Sequence, residues 1–112
     1  MDEIKYGEVW FAKFPYEEDE TKIKARPVVV LDVETLKVLS VKVTKTYPRE
    51  EDDYDLPILY WQEAKLRFKS TARVSKAIHL DKTAFDFKIG DLHQDDLHDI
   101  QESFIKFINS KE

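Results

Sequence analysis

Three consecutive valines, which follow Arg26-Pro27 and precede Leu31, constrain the fold of this chain more than any other feature. A continuous run of β-branched residues is typical of a central strand that is buried on both faces. Pro27 stands near the start of the run, where a missing backbone donor is tolerated. Residues 36–44 follow after a short turn and are also β-like, so a tight antiparallel hairpin is the simplest connection.

Patterns typical of strands and turns continue on both sides of this hairpin. Residues 6–14 fit an amphipathic strand and are followed by an acidic loop at 16–20. A short strand at 55–59 contains Pro57, so we expect it at the edge of the sheet. The remaining predictions are a turn of helix at 60–66, a β-like segment at 70–80 and a loop that ends at Gly90.

The end of the chain carries a helical pattern. Between residues 94 and 109 the apolar side chains recur at steps of three and four, which indicates an amphipathic helix that packs on a sheet. Strands first and a helix last predict a mainly β, antiparallel fold: a small barrel or curved sheet with a C-terminal α-helix packed on it. The length of 112 residues suits one domain, spanning residues 1–112.

The absence of cysteine excludes disulfides, thiolate metal ligands and a cysteine nucleophile. The three histidines show no metal-binding spacing, and there is no glycine-rich phosphate loop, so we expect neither a metal nor a cofactor. The acidic N-terminal segment lacks the apolar core of a signal peptide, and no stretch is apolar enough to span a membrane. We therefore expect a cytoplasmic protein.

The charges are segregated along the chain. A net charge of −5 argues against non-specific nucleic-acid binding, but residues 21–26 carry three positive charges and no negative one. Residues 65–76 carry five positive charges and no negative one, and Lys42, Lys45 and Arg49 form a third basic group. Such clustering can build a basic face on an acidic protein, although solvated loops with unrelated charges give the same pattern.

Arg26 and Thr44 are the residues best placed for chemistry. Arg26 begins one strand of the expected hairpin and Thr44 ends the other, so both should lie at the same end of the sheet. A guanidinium can bind phosphate through two parallel hydrogen bonds, and a hydroxyl can hold a second phosphate oxygen or a sugar hydroxyl. On spacing alone, the alternative is an arginine that is merely solvated ahead of a strand.

The order of the motifs resembles that of the MazF/PemK ribonuclease toxins. The segment Gly7-Glu8-Val9-Trp10-Phe11, a loop and then residues 26–31 are similar to the family's opening strands. The strand that ends in Val43-Thr44 matches the next family element. Later parts of the chain that resemble the family are 70–74 with Asp81-Lys82, and 89–92 leading into the helix.

The resemblance implies an SH3-like barrel, usually a homodimer, that cleaves single-stranded RNA such as mRNA without a metal. An antitoxin protein bound over the RNA site would control it. Arg26 would then be the proton donor or charge stabiliser at the scissile phosphate. Thr44 would hold that phosphate or position the attacking 2′-hydroxyl. The implied products are a cyclic phosphate or 3′-phosphate and a 5′-hydroxyl, and preorganised donors around the developing charge supply the catalysis.

A further set of residues is predicted to bind RNA. The loop before Arg26 usually carries glycines in the family, whereas here it carries Lys22 and Lys24, which we expect to attract RNA. The other candidates would contact the phosphate backbone, which fixes register rather than sequence, and they are Lys45, Ser70, Arg73 and Lys76. The alternative for these residues is an ordinary solvent-facing role.

Two other functions stay open at this point. One is a non-catalytic barrel of the same class that acts as a toxin by binding a protein, as the CcdB topoisomerase inhibitors do. The other is a small adaptor barrel that binds a peptide in a groove and is not toxic. Both predict that no RNA is cleaved at any protein concentration, and only the first predicts growth arrest.

Overall fold

The computed structural model describes residues 3–16, 19 and 21–111, which form a six-stranded antiparallel sheet and a C-terminal helix. The strand order is β4-β5-β3-β2-β1-β6, and the edge strands β4 and β6 are not paired with each other, so the sheet is open. The predicted mainly β, antiparallel class with a C-terminal helix is confirmed. The elements are β1 (Glu8–Pro15), β2 (Ile23–Val33), β3 (Lys37–Thr44), β4 (Asp55–Ile58), β5 (Ser70–Asp81), β6 (Phe85–Asp91) and α1 (Gln94–Asn109).

The predicted hairpin lies at the centre of the sheet. Val28 pairs with Lys42 and Val29 with Val41 across β2 and β3, while β1 pairs with the other edge of β2. The three consecutive valines of β2, Val28, Val29 and Val30, are 0% exposed. A strand with neighbours on both edges and cover on both faces has apolar side chains at consecutive positions, which explains the valine run.

The two faces of the sheet carry separate hydrophobic clusters. Val9 and Val29 belong to the cluster on the face where Leu97 and Phe104 of α1 pack. Their neighbours on the same strands, Trp10 and Val28, belong to the cluster on the opposite face. This switch from one residue to the next follows from the two-residue period of a strand.

Helix α1 has the predicted bounds and anchors the segment after β4. His93 precedes its first turn, and the His93 Nδ1 atom accepts a hydrogen bond from the Asp95 N–H at 3.0 Å. The buried carboxylate of Asp96 accepts hydrogen bonds from the N–H groups of Leu59, at 3.0 Å, and Tyr60, at 2.8 Å. The helical turn predicted at 60–66 is a series of hydrogen-bonded turns, which includes a bond from the Ala64 N–H to the Tyr60 carbonyl.

Strand β6 contradicts the predicted loop that ends at Gly90. Phe87 pairs with Phe11 and Gly90 pairs with Val9 of β1, so this segment completes one edge of the sheet. The sequence predicts a loop at Gly90 because glycine is depleted in strands. Here it permits close contact, since a Cβ at this position would lie 2.4 Å from the Ala64 carbonyl oxygen.

Other sequence-based expectations have mixed outcomes. Strand β4 lies at an edge of the sheet, as Pro57 predicted. Of the acidic loop predicted at 16–20, residues 17, 18 and 20 lie outside the described residues. In the part of the chain that the structure describes, no helix combines the length and apolar character needed to cross a membrane.

An ion-pair network holds the loop between β3 and β4. The Arg49 Nε atom donates to Asp55 Oδ2 at 2.9 Å, and the Asp55 side chain is 0% exposed. The Arg49 Nη2 atom reaches Asp52 Oδ2 at 3.0 Å, and the Ser75 hydroxyl of β5 donates to the same oxygen at 2.6 Å. Burial by itself would raise the pKa of the Asp52 carboxyl group. The hydrogen bonds from Ser75 and the Tyr54 N–H and the nearby positive charges outweigh burial, so this pKa is lowered.

Candidate functional site

A cleft of about 740 Å³ lies at the end of the sheet where β3 ends and β2 begins. Its lining combines positive charges, hydroxyl groups and aromatic rings. Among the described residues that line it there is no aspartate or glutamate. The polar and aromatic lining residues are Lys24, Arg26, Lys45, Lys65, Arg67, Lys88, Thr44, Thr46, Ser70, Phe11, Phe68 and Phe87.

The structure brings Arg26 and Thr44 to the same cleft. The pairing between β2 and β3 ends at Val28 and Lys42, and Arg26 and Thr44 each lie two residues beyond this pair and line the cleft. Arg26 pairs with Ala12 of β1, which fixes its backbone at the start of the sheet. The Thr44 hydroxyl donates to Thr46 Oγ1 at 3.2 Å and accepts from the Thr46 N–H at 3.3 Å.

The residues predicted to bind RNA divide into two groups. Lys24, Lys45 and Ser70 line the cleft, whereas Lys22, Arg73 and Lys76 do not. The backbone of Lys22 belongs to the turn before β2, where its N–H donates to the Asp19 carbonyl. Strand β5 starts at Ser70 and runs away from the cleft at about 3.3 Å per residue, so Arg73 and Lys76 stand roughly 10 and 20 Å along it.

Sequence reasoning missed several lining residues. Lys65 and Arg67 lie in the basic segment at 65–76, so their charge was a usable signal that was not assigned to the site. Phe87 and Lys88 lie on β6, which pairs with β1. Because the sequence predicted a loop here, it gave no strand pairing that would place these residues beside β1. The missed strand therefore accounts for one whole wall of the cleft.

Two carboxylates hold Lys88 at the rim of the cleft. The Lys88 Nζ atom lies 2.9 Å from Glu8 Oε2 and 3.1 Å from Asp91 Oδ1. These hydrogen bonds raise the pKa of Lys88. Glu8 is buried, and its Oε1 atom accepts from Trp10 Nε1 at 2.9 Å and from the Lys5 N–H at 2.7 Å.

Replacing Glu8 by glutamine should lower the free energy of unfolding at neutral pH and reduce its dependence on pH. Burial raises the pKa of Glu8, but the hydrogen bonds from Trp10, Lys88 and Lys5 outweigh burial, so the folded-state pKa is lowered. A lowered pKa stabilises the fold above the ordinary glutamate range, near pH 4, and that contribution is lost as the pH falls through the folded pKa. We expect Glu8→Gln to cost about 1–2 kcal/mol at pH 7 in urea unfolding. The difference from the parent protein should shrink below about pH 4, and a constant difference at all pH values would contradict this assignment.

The described residues place no three histidine, aspartate or glutamate side chains close enough to hold a metal ion together. His93 stacks on Tyr60 with ring centroids 3.8 Å apart, and His79 Nε2 lies 3.0 Å from Glu34 Oε2. Neither histidine lines the cleft. The chemistry available in the cleft is therefore that of fixed cations, hydroxyl groups and aromatic rings.

The fold and the site define a small, open-sheet β protein with a cationic, aromatic-lined cleft at one end of its central hairpin. The chain belongs to the family of PemK-like, MazF-like toxins of type II toxin–antitoxin systems, whose model matches residues 5–108. No curated protein sequence matches the chain significantly.

Solved structures share this fold at low sequence identity. A mycobacterial endoribonuclease in complex with its cognate antitoxin superimposes with a TM-score of 0.71 and 12% identity, covering 97% of this chain and 96% of that one. The Mycobacterium tuberculosis toxin MazF-mt6 gives a TM-score of 0.68 and 18% identity, covering 91% and 96%. A MazE–MazF structure from Deinococcus radiodurans gives 0.72 and 12%, covering 95% and 96%. At these identities the likeness establishes the fold.

Proposed function

We propose that this protein is an endoribonuclease toxin that cleaves single-stranded RNA, including mRNA, without a metal ion. The observation that carries the proposal is the cleft, in which Arg26 and Thr44 stand among further cations with no carboxylate among the described lining residues. The family membership and the endoribonucleases among the proteins of the same fold support it.

The charge of the cleft is opposite to that of the whole chain. The chain has a net charge of −5, yet six lysine and arginine side chains line this one cleft. Fixed cations along a concave surface concentrate the local field and attract a polyanion, even when the protein as a whole is acidic. A phosphodiester strand has the charge that this lining complements.

The proposed reaction uses the substrate's own nucleophile. The 2′-oxygen attacks the neighbouring phosphorus and passes its proton to water, while the bond from phosphorus to O5′ breaks and O5′ gains a proton. Arg26 stabilises the extra negative charge on the phosphoryl oxygens and is the candidate donor toward O5′. Thr44 holds a phosphoryl oxygen or the 2′-hydroxyl in line for attack. The products are a 2′,3′-cyclic phosphate, or the 3′-phosphate formed from it, and a 5′-hydroxyl.

We also propose that a protein antitoxin controls this activity and that the functional unit is a cytoplasmic homodimer. An acidic segment of the antitoxin would neutralise the same cations that attract RNA, so binding of the two would be mutually exclusive. The endoribonuclease–antitoxin and MazE–MazF complexes among the proteins of similar fold support this part of the proposal.

Incubation of the purified protein with a long RNA in excess EDTA tests the function directly. We expect discrete fragments with 5′-hydroxyl ends and cyclic or 3′-phosphate ends, detected by primer extension and by end-specific ligation. Fragments with 5′-phosphate ends, or cleavage that requires a divalent cation, would contradict the proposed chemistry. Intact RNA at every protein concentration would favour a toxin that acts by binding a protein.

A further inference from the structure

Two phenylalanine side chains stand exposed in the cleft, and the reaction described above gives them no role. Phe68 is 57% exposed and Phe87 is 56% exposed, and both line the cleft. A phenyl ring has no polar atom that gains from contact with water. Exposed rings gathered at one concave site therefore indicate a surface that a ligand covers.

The two rings come from separate parts of the chain and line the same cleft as Arg26 and Thr44. In the strand order, Thr44 lies on β3 and Arg26 on β2, while Phe87 lies beyond them on β6. Phe68 precedes β5, which is the neighbour of β3 on the other side. Both rings reach one cleft because Gly90 of β6 lies against Ala64, in the segment that leads to Phe68.

Both rings have support from their neighbours. Phe87 stacks on Phe11, its partner in the β1–β6 pairing, with centroids 5.2 Å apart and planes inclined by 19°. Phe68 lies under the Lys45 Nζ atom, which is 5.3 Å from the ring centroid. Lys45 thus pairs with the ring of Phe68, and the stacking of Phe11 restricts the ring of Phe87.

We propose that Phe68 and Phe87 are base-stacking residues, each of which holds an unpaired nucleobase next to the scissile phosphate. This inference rests on the proposed function. A basic groove that follows the phosphates, combined with aromatic side chains that stack on the bases, is the arrangement by which proteins hold single strands. A duplex keeps its bases stacked inside, so these rings would select unpaired RNA.

Binding of an uncleavable strand tests this role apart from catalysis. The probe is a fluorescent, fully 2′-O-methylated RNA of about 12 nucleotides, which lacks the free 2′-hydroxyl. We expect Phe68→Leu and Phe87→Leu each to weaken binding about 10-fold, which is typical of the loss of one aromatic ring that stacks on a base. The dependence of affinity on salt should not change, because no charge is removed. Leu36→Ala alters an exposed apolar residue at the far end of β3 and should bind as the parent protein does.

Abasic substitutions in the probe assign each ring to a base. For the parent protein, removal of one particular base should weaken binding about as much as Phe87→Leu does, and the two changes together should cost no more than either alone. The stacking role would be overturned if, at every probe position, the losses of affinity from Phe87→Leu and from base removal multiplied. Unchanged binding by both leucine variants would also overturn it. Cleavage of RNA by the parent protein is measured separately, so a failure of the stacking role leaves the nuclease proposal standing, and the reverse also holds.

Discussion

Arg26→Ala is expected to reduce RNA cleavage by about 1,000-fold while the fold is retained. The guanidinium lines the cleft beside Thr44, and the loss of a preorganised donor at a developing oxyanion typically costs 10²–10³-fold, with arginines at phosphoryl groups at the upper end. Arg26→Lys keeps the charge but loses the planar fork, so we expect an intermediate loss of roughly 10–100-fold. Cleavage rates in EDTA, under single-turnover conditions, measure both effects.

Lys37→Ala is the matched control for the charge that Arg26→Ala removes. Lys37 is exposed and begins β3, at the end of the strand opposite Thr44, and its Nζ atom lies 4.0 Å from Asp81 Oδ1. This variant should cleave RNA at the parent rate. A normal rate for Arg26→Ala, with an unchanged circular dichroism spectrum, would remove Arg26 from the catalytic assignment.

Arg49→Ala is expected to destabilise the fold by about 3–5 kcal/mol. The substitution leaves the fully buried Asp55 carboxylate without the guanidinium that donates to it at 2.9 and 3.2 Å, and an uncompensated buried charge carries this cost. Asp52 loses the same partner at 3.0 Å. Urea unfolding at pH 7 and one fixed protein concentration measures the change, since any self-association makes stability depend on concentration.

The exposed ion pair of Lys37 again gives the comparison. Lys37→Ala should cost less than about 1 kcal/mol, because a pair between solvent-exposed side chains contributes little. A similar, small cost for Arg49→Ala would mean that Asp55 finds another partner or water in the variant. In that case the loop between β3 and β4 would not depend on the buried ion pair.

The elements with a strong local pattern were predictable from the sequence. The valine run located β2 because continuous apolar character has few explanations other than a doubly covered strand, and α1 has the bounds that its periodicity predicted. The signal failed at β6, whose outer residues Phe87 and Lys88 are exposed and whose Gly90 is required by the nearby Ala64 carbonyl. A local sequence pattern does not indicate such a long-range contact.

The candidate site was predictable where it depended on the hairpin. The hairpin of β2 and β3 places Arg26 and Thr44 at the same end of the sheet, and that placement followed from two strands joined by a short turn. The remaining walls depend on tertiary structure. Phe68 and Arg67 reach the cleft through a turn segment that the buried Asp96 anchors to α1, and no pattern in residues 59–69 indicates that anchor.

An oligonucleotide in which one ribose lacks its 2′-hydroxyl tests the proposed chemistry most directly. Once a cleaved bond has been mapped, the nucleotide on its 5′ side is replaced by its 2′-deoxy form, and cleavage is followed in excess EDTA. The account predicts that this bond stays intact while the all-ribose strand is cut and that the modified strand still binds. Cleavage at the deoxy position would show that the attacking group comes from elsewhere, and the proposed roles of Arg26 and Thr44 would then have to be abandoned.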